Sequence, residues 1–133
     1  MIEKYLLIPY VDGGRSMDGL DCYGLLIRIR EELGLAAPPD VGSITRHNAI
    51  AMQHRYSETV GQLEECQPEV GAIAGVFRNK ALIHVGVVVS IDGRLSVLET
   101  NPKSGPRWLR VREFKDQYAK VIFYRDRHFP ESS

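Results

Sequence analysis

Only two cysteines, Cys22 and Cys66, and a single tryptophan occur in the 133 residues. Two thiols are too few for the disulfide framework of a small secreted domain, so each is judged on its own chemistry. Excess charge is missing as well, because seventeen basic residues face seventeen acidic ones. That balance gives no electrostatic reason to expect nucleic acid or an anionic membrane as partner, and the basic run "RWLRVR" (107–112) is explained by strand alternation. Long apolar runs are lacking too. The N-terminus "MIEKYLLIPYVDGG" holds an apolar stretch of about five residues, short of a signal-peptide core or a transmembrane helix. The expectation is therefore synthesis in the cytoplasm, with no signal peptide and no transmembrane segment. His47, His54 and Cys66 fall into no CxxC or HxxxH spacing, so neither a metal nor any other cofactor is expected.

What remains is the composition of one globular domain spanning residues 1–133, with 44% hydrophobic and 26% charged residues. Its glycines and aspartates mark "VDGGRSMDG" as a loop. A helix follows, with Asp21 as N-cap, Cys22, Leu26, Ile29 and Leu33 at helical spacing, and Gly34 at the C-terminal cap. The Pro38-Pro39 pair makes the next segment a connection, and a weaker second helix is expected from about Asn48 to Leu63. From Val70 onward the character turns to β. "VGAIAGVF", "ALIHVGVVV", "RLSVLET", "RWLRVR" and "AKVIFYR" are short runs rich in Val, Ile and aromatics, separated by turn signals. Helices followed by an antiparallel meander of about five strands give an α+β fold, with N-terminal helices packed on the sheet.

The sharpest turn signal is "SIDGRL", because Asp92-Gly93 suits the positive φ angles of a two-residue type I′ hairpin. Counting outward from that turn sets Ile91 against Arg94, Gly86 against Glu99 and His84 against Asn101. His84, Glu99 and Asn101 then share one side of the sheet. A three-residue loop would instead bring Leu98 and Thr100 to that side.

The first turn of a helix favours a thiolate through its unpaired backbone N–H groups and its dipole, and Cys22 sits there by sequence. An imidazole within reach would hold that thiolate, and a third polar group would fix the imidazole's tautomer. His84 is the natural candidate. Free cysteine is also among the most buried residue types, so Cys22 on its apolar stripe, taken alone, reads first as core packing. Cys66, flanked by acids and a proline, reads as an inert thiol. His128 is expected at the surface, and Trp108 either in the core or lining a substrate groove.

"PYVDGGRSMDGLDCYGL" (9–25) resembles the signature of the NlpC family of cell-wall cysteine peptidases. That pattern runs Pro-Tyr, a variable pair, Gly-Gly, a short loop, then Asp-Cys-Ser-Gly-Leu or Asp-Cys-Trp-Gly-Leu. Downstream, "QPEVGAI" (67–73) is similar to the family's Pro-Gly-Asp-Leu strand opening, and "IHVGVVV" (83–89) to its His-Val-Gly-Ile strand. The likeness implies a papain-like fold with the cysteine at the start of a helix packed on an antiparallel sheet. It implies Cys22 as nucleophile, His84 as general base and Tyr10 beside the nucleophile, helping to position substrate or stabilise the oxyanion. Asp21, in the same motif, serves the helix N-terminus rather than the reaction.

Many relatives carry a histidine on the strand after "HVGI", whereas "RLSVLET" has none. The hairpin register offers Glu99 as the third residue in its place, with Asn101 as the alternative. A carboxylate orients an imidazole and stabilises its charged form as well as a second histidine does. The resemblance thus implies cleavage of peptidoglycan stem peptides next to γ-D-glutamate. The lack of a signal peptide points to versions carried by phage tails, with tail proteins as partners and the virion tail as location. Two other expectations stay open: a tail-assembly module that keeps the fold without efficient catalysis, and an acyltransferase or non-wall amidase using the same dyad.

Overall fold

Residues 2–36 and 63–126 are described by the structure, a computed structural model. A 3₁₀ turn at Tyr5–Leu7 leads into a two-stranded hairpin, β1 (Arg15–Ser16) and β2 (Gly19–Leu20), and then helix α1 (Cys22–Glu32). Strands β3 (Leu63–Cys66), β4 (Ile73–Arg78), β5 (Ala81–Ile91), β6 (Arg94–Asn101) and β7 (Gly105–Arg110) follow. Helix α2 (Val111–Gln117) and strand β8 (Lys120–Asp126) complete the described chain. The fold is α+β, with a six-stranded antiparallel sheet in the order β3-β8-β4-β5-β6-β7.

Several expectations are corrected. The sheet has six strands rather than about five, because "LEEC" forms β3 at an edge. It is not a simple meander, since β8 returns across α2 to pair between β3 and β4. The run "RWLRVR" ends as strand at Arg110, and Val111 and Arg112 begin α2, so the helices are not all N-terminal. Glu113 causes the switch by accepting a hydrogen bond from the Arg110 backbone N–H at 2.9 Å, which starts the helix. The segment expected as a second helix lies outside the described residues except for Leu63, which opens β3.

Helix α1 is bounded as its caps dictate. The Asp21 carboxylate accepts from the Gly24 N–H at its start. At its end Gly34 adopts φ +77°, and the Gly34 and Leu35 N–H groups close on the Glu31 and Arg30 carbonyls. Eight of its eleven residues are buried, so this is an internal helix rather than one with a single apolar stripe.

Strand β5 is buried on both faces. Val85, Val87 and Val89 join Leu25, Leu26 and Ile29 of α1 in one core, while Val88 joins Val97 and Phe114 of α2 in the other. Each fully buried Val or Leu contributes about 1.5–3 kcal/mol. Asp92 and Gly93 take φ of 54° and 75°, and the β5–β6 ladder runs from Ile91↔Arg94 to Val87↔Leu98. That is the two-residue hairpin its sequence predicts, with the expected register as far as Val87↔Leu98; the ladder stops short of the expected Gly86↔Glu99 and His84↔Asn101 pairs.

Candidate active site

Asp21 organises the loop ahead of Cys22. One carboxylate oxygen accepts from Gly24 N–H at 2.7 Å and pairs with Arg15 Nη1 at 2.6 Å; the other accepts from Gly13 N–H at 3.1 Å. Asp21 therefore ties the Gly13–Arg15 loop to the first turn of α1 and is committed to structure. Gly24 cannot be replaced without moving that loop, because a Cβ there would collide with the Gly14 carbonyl. Cys22 follows as the first residue of the helix, a free thiol and 2% exposed.

His84 and Glu99 meet across β5 and β6. The imidazole Nε2 lies 2.7 Å from Glu99 Oε1, and both residues are essentially fully buried. His84 stands where the β4–β5 ladder shifts register, between Val76↔His84 and Phe77↔Leu82. Bulges of this kind re-aim a strand side chain. The second ring nitrogen, Nδ1, is buried and has no hydrogen-bond partner among the described residues. Burial disfavours the charged ring, but Cys22 and Glu99 together outweigh it and raise the His84 pKa from 6.5 to about 9. With Nε2 on the carboxylate, Nδ1 is the nitrogen left for the thiol.

Two more donors converge on Glu99. Tyr118, the C-cap of α2, donates its hydroxyl to Oε1 at 2.6 Å, and Arg107 Nε donates to Oε2 at 2.8 Å. Burial alone would push the Glu99 carboxyl up; the bonds from His84, Tyr118 and Arg107 hold it below its ordinary 4.5. The Tyr118 hydroxyl is in turn raised, by burial and then by Glu99. Gly86 lies beside this network on β5. A Cβ at Gly86 would come within 2.6 Å of Val97 Cγ1 and 3.2 Å of the Leu98 carbonyl oxygen, so its absence leaves room for β6, with Phe114 of α2 in ordinary contact distance beyond. Phe114 then packs 5.0 Å from Tyr118, whose ring lies 5.6 Å from that of His84.

The other expected residues are placed differently. Asn101 does not meet His84; it pairs with Gly105 on β7, and its side-chain oxygen accepts from the Lys103 and Ser104 N–H groups at 2.9 Å each. Tyr10 is half-buried and donates its hydroxyl to Asp12 at 2.6 Å. Its phenol is raised by burial and by Asp12, with Cys22 also contributing, which sets Tyr10 in the neighbourhood of the thiol. Cys66 has its thiol raised by burial and by Glu69. Trp108 packs against the α1 core with the Arg110 guanidinium 4.7 Å over its ring. His47, His54 and His128 lie outside the described residues. Among the described residues no three His, Cys, Asp or Glu side chains gather as metal ligands, and no helix is long and apolar enough to cross a membrane.

Arg107 and Tyr118 escape the sequence reading. Arg107 was accessible in principle: the turn "NPKSG" pairs Asn101 with Gly105, and counting back sets Arg107 opposite Glu99. Tyr118 carries no such signal, because α2 is only seven residues long and shows no helical period. No protein-family model matches the chain, and no match was found among curated proteins.

Proposed function

We propose that the protein is a cysteine peptidase or amidase acting on peptidoglycan stem peptides through Cys22, His84 and Glu99. The observation that carries this reading is the buried His84–Glu99 pair at 2.7 Å, with the unengaged Nδ1 of the same ring left to a thiol at the start of a helix. A carboxylate held by three donors, turned on an imidazole that is itself coupled to a cysteine, is the arrangement nucleophilic thiol chemistry requires. The choice of a cell-wall peptide as substrate rests on the NlpC resemblance of residues 9–25 and 83–89.

In this mechanism the Cys22 thiolate adds to the amide carbonyl carbon. The oxyanion is met by first-turn N–H groups of α1 and, once released from Asp12, by the Tyr10 phenol. His84 passes its proton to the departing amine nitrogen as the C–N bond breaks, leaving a thioester on Cys22. A water then loses a proton to His84 and attacks the thioester, releasing a carboxylic acid and regenerating the dyad. Glu99 stays ionised throughout and holds the imidazole in place, while Arg107 and Tyr118 hold Glu99.

Incubation with diaminopimelate-containing muropeptides, beside a Cys22→Ala control, tests the reading by mass spectrometry. The wild-type protein should release the amine-side fragment, and the variant should be slower by at least ~10³-fold with an unchanged fold. Cleavage that persists in Cys22→Ala would sink the thiol mechanism. No cleavage by either protein would favour a non-catalytic module.

A further inference from the structure

The turn after β6, strand β7 and the end of α2 enclose a cavity of about 500 Å³ on the outer side of Glu99. Asn101, Lys103, Ser104, Arg107, Gln117 and Tyr118 line it, and its charged lining residues are both basic. Arg107 spends only its Nε on Glu99, and 35% of its side chain remains exposed. One guanidinium thus serves the buried carboxylate and still faces outward. Lys103 makes no ion pair among the described residues. The turn is fixed by the Asn101 side-chain oxygen, which accepts from both Lys103 and Ser104, leaving the Asn101 amide N–H groups as further donors. A concave lining with an ammonium, amides and a guanidinium whose one acidic partner, Glu99, is buried behind it fits a carboxylate.

We propose that this cavity is a carboxylate-binding subsite, with Lys103 and Arg107 as its cationic ligands, that holds a free carboxylate of the peptide being cleaved. Its position supports the link to the reaction. Arg107 and Tyr118 line the cavity and both donate to Glu99, and Tyr118 packs 5.6 Å from the His84 ring. A ligand anchored there would touch Arg107 and Tyr118, the two side chains that hold the carboxylate on which His84 rests, while His84 and Cys22 themselves lie outside the cavity lining. The identity of the ligand rests on the hydrolase reading; the presence of an anion site does not. Lys103 is the residue to change, because altering Arg107 would also release Glu99.

The test uses the Cys22→Ala protein, which should bind without turnover, and calorimetric titration with γ-D-glutamyl-diaminopimelate and with the same dipeptide carrying amidated carboxyl groups. Lys103→Glu should weaken the free-acid dipeptide by about tenfold or more and leave the amidated form unchanged. Equal affinity for the two dipeptides, indifference to Lys103→Glu, or no binding of either would overturn the proposal. Lys103-dependent binding by a protein that cleaves no muropeptide would keep the subsite and discard the hydrolase reading.

Discussion

Arg30 and Glu99 are both charged, both buried, and both held by groups from distant parts of the chain. Arg30 gives Nε to the Ala36 carbonyl, Nη1 to the Gly71 carbonyl and Nη2 to Asp126, which pins the end of α1 to the segment before β4 and to the end of β8. Each nitrogen of that guanidinium is spoken for. Glu99 likewise collects Arg107, Tyr118 and His84, but one of its partners is left incomplete: His84 keeps a buried ring nitrogen with no hydrogen-bond partner. A closed network fixes geometry. One that ends on an unmatched polar atom beside a thiol holds a reserve of reactivity, since buried polar atoms are otherwise almost always paired. Thr100 Oγ1 is also buried without a partner, so what sets the Glu99 network apart from the Arg30 brace is that its unmatched atom is a nitrogen of an imidazole whose pKa the Cys22 thiol raises.

The largest effect should come from breaking the second network. Glu99→Gln keeps the side-chain volume but removes the charge that His84 and Arg107 share, and turnover should fall about 10²- to 10⁴-fold. The pH profile supplies a check that a merely structural role would not move. His84 is raised from 6.5 to about 9 in the folded protein, so its charge contributes stability fully below 6.5 and loses it as pH rises through about 9. The proton needed by the departing amine disappears over the same window. Removing Glu99 takes away one of the two groups that hold the ring charged and leaves Arg107 uncompensated nearby. The alkaline limb of the rate profile should therefore move to lower pH. A limb that stays near 9 in Glu99→Gln would show that the carboxylate does not govern the imidazole.

Breaking the first network should act on stability instead. Arg30→Met retains much of the buried stem but abandons the Ala36 and Gly71 carbonyls and Asp126. A fully buried pair loses about 3–5 kcal/mol when one partner is removed; Asp126 is 44% exposed and stays hydrated, so about 2–3 kcal/mol is expected by denaturant unfolding. Turnover per folded molecule should remain at the wild-type level. A loss of turnover without loss of stability would erase the contrast between brace and reaction centre.

How far the sequence reaches can be read from the same residues. Asp92-Gly93 forms a two-residue turn with both φ angles positive, so the β5–β6 pairing as far as Val87↔Leu98 follows from the sequence. Asp21 and Gly34 bounded α1 because caps are local chemistry. Strand β3 was hidden because its "LEEC" puts two glutamates at a sheet edge, where pairing with β8 alone supplies the order. Helix α2 was hidden by basic-apolar alternation that mimics a strand until Glu113 reaches back to Arg110. Tyr118 was hidden because it reaches Glu99 through tertiary placement that no local period encodes, whereas Arg107 lies directly opposite Glu99 on β7 and follows from the Asn101–Gly105 turn.

The smallest effect tests the choice between the two residues that the hairpin count offered. Asn101 supports the turn through two backbone N–H groups and makes no contact with His84, so Asn101→Ala should loosen that turn by about 1 kcal/mol. Its kcat should stay within about threefold of wild type, because nothing that holds the imidazole has changed. Since Asn101 also lines the cavity beside Lys103, what the substitution does alter should appear in KM. A fall in kcat comparable to that of Glu99→Gln, with the alkaline limb displaced in the same direction, would transfer the orienting role from the carboxylate to the amide. A change confined to KM would instead assign Glu99 to the imidazole and Asn101 to the carboxylate subsite, dividing the work of a single strand end between proton transfer and recognition.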